Sequence, residues 1–419
     1  MRRREWLRLV GAGAASLAAF PSCGDNLPAP PPTSTAAILE PTEDGFLVAM
    51  FDERAESAAV EVRDESGEMV AAQIVDLVPS GVVAIDGLEP ASTYDVMILQ
   101  SGRTLGPYRI RTAPAADDPR AVRIAVSADF DPHPAFDSML VDHVVIAKPD
   151  LFVSLGDFPY CDNGPMVVQD VDGYRMRHFQ ARSSSAMQTL HQNVAVRSIY
   201  DDHEFRNDWN PVFVARESSR YAAAMQVWDE FFPLRETSGE IRYRSWHYGA
   251  NVECFLLDCR RFRSDPAVAD TIEKTMLGAA QRQWLQDSVR ASTAAFKLIF
   301  TSVPLNFGIG FDHWKGYTTE REAMFAALRG VPGVLFVSGD QHYFAAHRHA
   351  WGIREFQVGP IARGIGPFGD DLPGVMFRAG RYNVGLFDID GDNLRVTGLG
   401  ADGEHFYEET FTPELLTPG

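Results

Sequence analysis

Leu151-Phe152-Val153-Ser154-Leu155-Gly156-Asp157-Phe158-Pro159-Tyr160 is the stretch that decides the architecture of this chain. A short apolar run of strand length stops at Gly-Asp, which reads as a buried strand ending in an acid. The pattern returns three times. Ile124-Ala125-Val126-Ser127-Ala128-Asp129 ends in an acid, and Val194-Ala195-Val196 leads into Ile199-Tyr200-Asp201-Asp202-His203-Glu204. Val334-Leu335-Phe336-Val337 leads into Ser338-Gly339-Asp340-Gln341-His342. Any one of these acids alone is explained by a helix cap or a turn. Four in succession, each just past a strand, stand where open α/β sheets gather their ligands.

Further apolar runs at Val252–Leu257 and Phe296–Phe300 alternate with helical patterns at Ala279–Val289 and Thr319–Leu328. Residues 120–412 are therefore expected to be one α/β (α+β) unit, its sheets covered by helices. Asp390-Gly391 and Asp402-Gly403 mark hairpins near its end. Ahead of it, residues 35–113 show short alternating runs at sandwich-like spacing, such as Ala59–Val62 and Tyr94–Leu99, and predict a β-sandwich. Leu88-Glu89-Pro90-Ala91-Ser92-Thr93-Tyr94 resembles a fibronectin type III corner. A proline-bearing linker, Ala113 to Pro119, joins the two.

The N-terminus has the organisation of an export signal. Arg2, Arg3 and Arg4 precede an apolar stretch, Leu9 to Phe20, too short to span a bilayer. Arg3-Arg4-Glu5-Trp6-Leu7-Arg8 resembles a twin-arginine motif, and Cys23 is a candidate lipidation site for a membrane anchor. Residues 24–34, rich in proline, read as a tether. An exported bacterial protein, periplasmic or at the cell surface and monomeric, is the expectation. Cys161, Cys254 and Cys259 are an odd set, so packing rather than a disulfide framework is expected to hold the fold. A formal charge of -19 opposes nucleic acid as a stable partner.

Carboxylates with imidazole suit Ca, Mn, Fe or Zn, and two adjacent ions need a bridging carboxylate, for which Asp157 is the natural choice. Beyond Gly156–Tyr160 and Asp201–Trp209, the order of Leu257–Arg263, Gln281–Leu285, Asp312–Tyr317, Glu320-Arg321 and Ser338–Tyr343 resembles the PhoD-type alkaline phosphatase and phosphodiesterase family of the metallophosphoesterase superfamily. The resemblance implies a fibronectin-like sandwich followed by a calcineurin-like four-layer αββα sandwich. It implies Asp157 as bridge, Tyr160 as a phenolate ligand to Fe(III), and Asp202 and Asn207 at a second, Ca2+-type position, with Asp340 and His342 completing the shell. Mn or Zn is the alternative. His203 would donate a hydrogen bond or proton beside the phosphate. The family carries cysteine after the first strand, where this chain has Asp129, with Asp131 and His133 as neighbours able to replace it.

The reaction so implied is attack by a metal-generated hydroxide on a small-molecule or lipid phosphoester, with Asp202 and His203 at the reacting centre. Arg177, Arg175 and Arg206 are candidate phosphate clamps, and His313 and Lys315 candidate rim residues beside Phe307-Gly308-Ile309-Gly310. A phosphodiesterase or phospholipase D-like activity on the same centre and an inactive surface binding protein are the rival readings. No Gly-x-Ser-x-Gly elbow supports a serine hydrolase.

Overall fold

The computed structural model describes residues 34–100, 102–131, 140–163, 167–235, 241–310, 312–369 and 373–419. The signal, the tether up to Thr33, Cys23 and His133 lie outside them. Two large sheets organise the chain. In the nine-stranded sheet, Val122–Ser127, Leu151–Ser154 and Val196–Ser198 run parallel side by side, so the strands that end in Asp129, Asp157 and Asp202 share one edge of exits. In the seven-stranded sheet, Val252–Leu256, Phe296–Thr301, Val334–Ser338 and Arg354–Gln357 are parallel neighbours, which puts Asp340 at an equivalent exit.

These central strands are buried on both faces, which is why they read as continuous apolar runs rather than alternating ones. Ile124, Val126, Leu151 and Val153 pack against Leu256, Leu298, Phe300, Leu335 and Val337, so the two sheets meet face to face. The outer face of the first sheet is covered by Leu140–Ala147, Val171–Arg182, Ser185–Asn193 and Ser218–Phe231, and that of the second by Gly278–Ala291 and Thr318–Ala327. That is a four-layer αββα sandwich. Both Asp-Gly signals fall at hairpins, between Asn383–Asp390 and Asn393–Gly400 and between Asn393–Gly400 and His405–Phe411. Cys161, Cys254 and Cys259 are free and buried.

Seven strands precede this unit. Ser34–Thr42, Gly45–Asp52 and Ser80–Ile85 face a second sheet of Met69–Asp76, Ser57–Arg63, Thr93–Gln100 and Arg103–Arg111 across a core of Ile38, Val48, Val60, Val96 and Ile110. At the corner, the Glu89 N–H donates to Tyr94 Oη at 2.9 Å. The first three strands are also a continuation of the nine-stranded sheet, because Ser34–Thr42 pairs in parallel with Val196–Ser198 through Leu39 and Val196.

Side chains reinforce that junction. Glu40, buried and at φ 49°, accepts from Arg197 Nη1 at 2.7 Å and from Arg244 Nη2 at 2.6 Å. Arg197 Nη2 also donates to the Pro41 carbonyl at 2.7 Å. The linker is stitched down too: Ala113 N–H donates to Thr42, and Ala250 N–H to Asp118. Three strands of the sandwich are therefore part of the nine-stranded sheet, and the sandwich is not a body hung from it.

Candidate metal centre

The four strand exits converge through backbone turns of unusual hand. Asp129, Asp157, Asp340 and His342 all have positive φ, at 61°, 58°, 80° and 56°. Aspartate tolerates the left-handed region better than most residues, and clustering of such turns at one place is how strain marks a functional site. Glycines make room. Gly156 (φ 108°) has Asp201 N only 2.5 Å from where a Cβ would stand, and a Cβ on Gly359 would meet Asp129 Oδ2 at 2.6 Å. The turns are bonded to one another: Asp129 N–H donates to Gly156, Phe130 N–H to Asp157 and Ala362 N–H to Asp129. Glu204 fastens the other pair, accepting from Phe158 N at 2.7 Å and from Asp201 N at 2.9 Å.

Two ligand sets result, and Asp157 belongs to both. Asp129, Asp157 and His342 bring ligand atoms within 4.8 Å of one another, as do Asp157, Asp202 and His203. Tyr160 Oη lies 3.3 Å from Asp129 Oδ1 and 3.0 Å from His342 Nε2, placing the phenol in the first set. His342 Nδ1 is 2.7 Å from the Gly364 carbonyl, a bond that makes Nδ1 the protonated nitrogen and leaves Nε2 a lone pair for the centre. Asp340 groups with Asp201 and Asp202, and Asp208 and Asp312 with Asp202.

Such a concentration of acid in the interior is unfavourable by itself. Burial, then the charges of Asp202, Asp201, Glu204 and Asp129, push the Asp157 carboxyl well above the usual range. Burial and Asp312 do the same to Asp340. Burial opposes ionisation of Asp202 as well, but Arg260 and His203 beside it hold it below the ordinary value. Arg260 is wholly buried, with Nε and Nη2 on Asp201 at 2.6 and 2.7 Å and Nη1 on Asp312 at 2.7 Å.

Two carboxylate oxygens inside the cluster, Asp129 Oδ2 and Asp202 Oδ1, are buried without a hydrogen-bond partner among the described residues. Buried carboxylate oxygens are normally satisfied. Unpartnered oxygens in an O-rich, imidazole-containing donor set fit hard or borderline cations.

A cleft of about 610 Å³ opens over this arrangement, lined by Asp157, Asp202, His203, Asn207, Asp340 and His342 among others. Asn207 is exposed there and donates its backbone N–H to Asp162 Oδ2 at 2.6 Å. His203 Nδ1 sits 2.7 Å from Asp162 Oδ1, so Nε2 is the ring nitrogen left for the cleft. Burial works against the His203 imidazolium, but Asp202 and Asp162 outweigh it and raise its pKa to about 9.

A family model described as PhoD-like phosphatase matches residues 126–365, more than half of the chain. The chain belongs to that family. Among curated PhoD-like relatives, alkaline phosphatase D of Bacillus subtilis (strain 168) is 28% identical over 313 residues, covering 62% of this chain and 52% of its own length. The chain thus spans about half of that relative. The structure of PhoD superposes with a TM-score of 0.80 at 20% identity, over 94% of this chain and 92% of that one. Purple acid phosphatase PPD1 from yellow lupin (Lupinus luteus) seeds follows at 0.67 and 13%, over 90% and 74%. At these identities the two structures speak for the fold alone.

Within this PhoD-like frame, Asp129 takes the place for which the family's cysteine was expected, and it sits among the ligand atoms. Asp131 is held instead by Arg363 Nη1 at 2.7 Å. The expected clamps do not reach the cleft. Arg175 is bound by both oxygens of Glu230 at 2.7 Å, and Arg206 is committed to Glu217. Arg177, half-buried on Val171–Arg182, does not line the cleft. His313 is fully buried and so is no rim residue, whereas Ile309 and Gly310 do line the opening. Sequence reasoning missed Asp162, Asp208, Asp312 and Arg260. Arg260 had a signal: Leu257-Asp258-Cys259-Arg260 directly follows an apolar strand, as the ligand loops do.

Proposed function

We propose that this chain is an exported, metal-dependent phosphoester hydrolase. The observation that carries the reading is Asp157, shared between two ligand sets whose neighbouring oxygens Asp129 Oδ2 and Asp202 Oδ1 have no hydrogen-bond partner among the described residues. Asp129, Asp157, Tyr160 and His342 would hold one ion, and Asp157, Asp202, Asn207 and Asp340 the other. A set of three anionic oxygens with one imidazole favours Fe(III) at the first position, and an all-oxygen set favours Ca2+ at the second, with Mn or Zn as alternatives. When bound, such ions supply an acidified water and neutralise phosphate oxygens.

The chain's own residues do the rest. The oxygen of a water that has released one proton to solvent would bond to phosphorus, the P–O bond to the alcohol would break, and His203 Nε2 would give its proton to the departing oxygen and regain one from solvent. Asp162 fixes the His203 tautomer through Nδ1 and, through Asn207 N–H, the turn that follows. Asp162→Ala is expected to lower kcat about 10²-fold with KM little changed, and the loss should be larger for alkyl than for nitrophenyl esters, because a poor leaving group needs the proton more. Equal losses on both would remove the proton-donor role. Among the described residues no helix is long and apolar enough to cross a membrane. Export, and anchoring through Cys23, rest on the sequence of residues 1–23.

Elemental analysis of the exported protein, with hydrolysis of p-nitrophenyl phosphate and bis(p-nitrophenyl) phosphate before and after chelation, tests the reading. Near-stoichiometric metal and chelator-sensitive turnover are expected, and a visible phenolate-to-iron band would identify Fe(III) on Tyr160. Metal-free protein without turnover would overturn the hydrolase.

A further inference from the structure

This inference rests on the hydrolase reading and concerns what that site accepts. We propose that the organic group carried by the substrate phosphate is positively charged, as in esters of amino alcohols, and that a second phosphate on it is refused. The ligand residues form only the inner part of the cleft. Its outer wall comes from Asp208 in the turn after Asp202, from Phe213 on the helix Pro211–Arg216, and from Asp265 and Ile309. Among the described residues no lysine or arginine lines it.

The loaded centre does not reverse this field. One ferric and one divalent ion carry charge equal to that of the anionic ligands Asp129, Asp157, Tyr160, Asp202 and Asp340. Around them stand Asp162, Asp201, Asp208, Asp265 and Asp312 against Arg260, Arg263 and a protonated His203, a balance that stays negative. Arg260 has no exposed atoms and spends its nitrogens on Asp201 and Asp312. Arg206, packed 4.2 Å over the Phe213 ring, is tied to Glu217. A cleft lined by one sign of charge concentrates ligands of the other and repels its own. Asp208 and Asp265 would face an ammonium, and Ile309, about half exposed, offers surface to methylated forms.

The test is competitive inhibition of whichever chromogenic ester the metal-loaded enzyme hydrolyses, by phosphocholine, glycerol 3-phosphate and propane-1,3-diol bisphosphate. Phosphocholine is expected to bind at least about tenfold tighter than glycerol 3-phosphate, with the bisphosphate weakest, and Asp265→Asn should shrink the first ratio. Equal constants, or tightest binding by the bisphosphate, would overturn the proposal while leaving the hydrolase intact. Failure to turn over either chromogenic ester would instead overturn the hydrolase reading, and this one with it.

Discussion

Replacing Asp157 with asparagine is expected to lower kcat/KM by about 10³-fold or more, a loss of about 4 kcal/mol of transition-state stabilisation, and to empty both metal positions together. The reason is its double membership: it stands with Asp129 and His342 on one side and with Asp202 on the other. Asp340→Asn should deplete the second position alone. The same substitution has an opposite effect on metal-free protein. Burial and four neighbouring acids disfavour the Asp157 carboxylate in the fold, so its ionisation at neutral pH costs stability that a neutral isostere does not. The metal-free Asp157→Asn protein should therefore melt above the metal-free parent, and the order should invert once metal is added. Metal counts and melting curves on both proteins, with and without chelator, check this. A variant that kept both ions and most of its turnover would remove Asp157 as the bridge.

Glu40→Ala is the second large expectation, and it acts far from the chemistry. It leaves Arg197, buried in the sheet junction, without its carboxylate and takes the same carboxylate from Arg244, which keeps its bonds to the Ser198 and Arg242 carbonyls. Breaking a buried ion pair by removing one member costs about 3–5 kcal/mol, because the surviving charge stays desolvated. Arg197 keeps its bond to the Pro41 carbonyl and its stacking 4.4 Å over Trp246, which places the expected loss at the lower end of that range. Denaturant unfolding should show one transition shifted to lower midpoint for the whole chain, since the sandwich and the catalytic sheet share hydrogen bonds. Two separate transitions, with only the earlier one moved, would show that the sandwich unfolds alone.

The layered α/β core was legible because its strands are buried on both faces, whereas its four-layer form came from the family resemblance. Leu151–Ser154 and Val334–Ser338 have no polar alternation to obscure them, and each stops at Gly-Asp. The acids at the strand exits were legible for the same reason, since their positions follow from where strands end. What escaped was everything set by contact between distant segments. Asp162 becomes a partner of His203 only because the Tyr160 loop folds over the Asp202 turn, and nothing local distinguishes it from a turn acid. Arg175 reads as a free guanidinium until Glu230, one helix away, claims it. The merger of the sandwich with the larger sheet was hidden as well, because it depends on the single register pair of Leu39 and Val196. Residues 113–119 look like a hinge in composition, yet their carbonyls and N–H groups are bonded to both neighbours.

The parallel pairing of Ser34–Thr42 also fixes an order of events during synthesis. Its partner Val196–Ser198 emerges from the ribosome long after the sandwich is complete, so a finished seven-stranded unit must wait with one apolar strand edge unpaired. Open edges of that kind recruit other chains. The interval between residues 112 and 198 is thus the window in which this protein is most exposed to aggregation, and a holding chaperone would be most useful there.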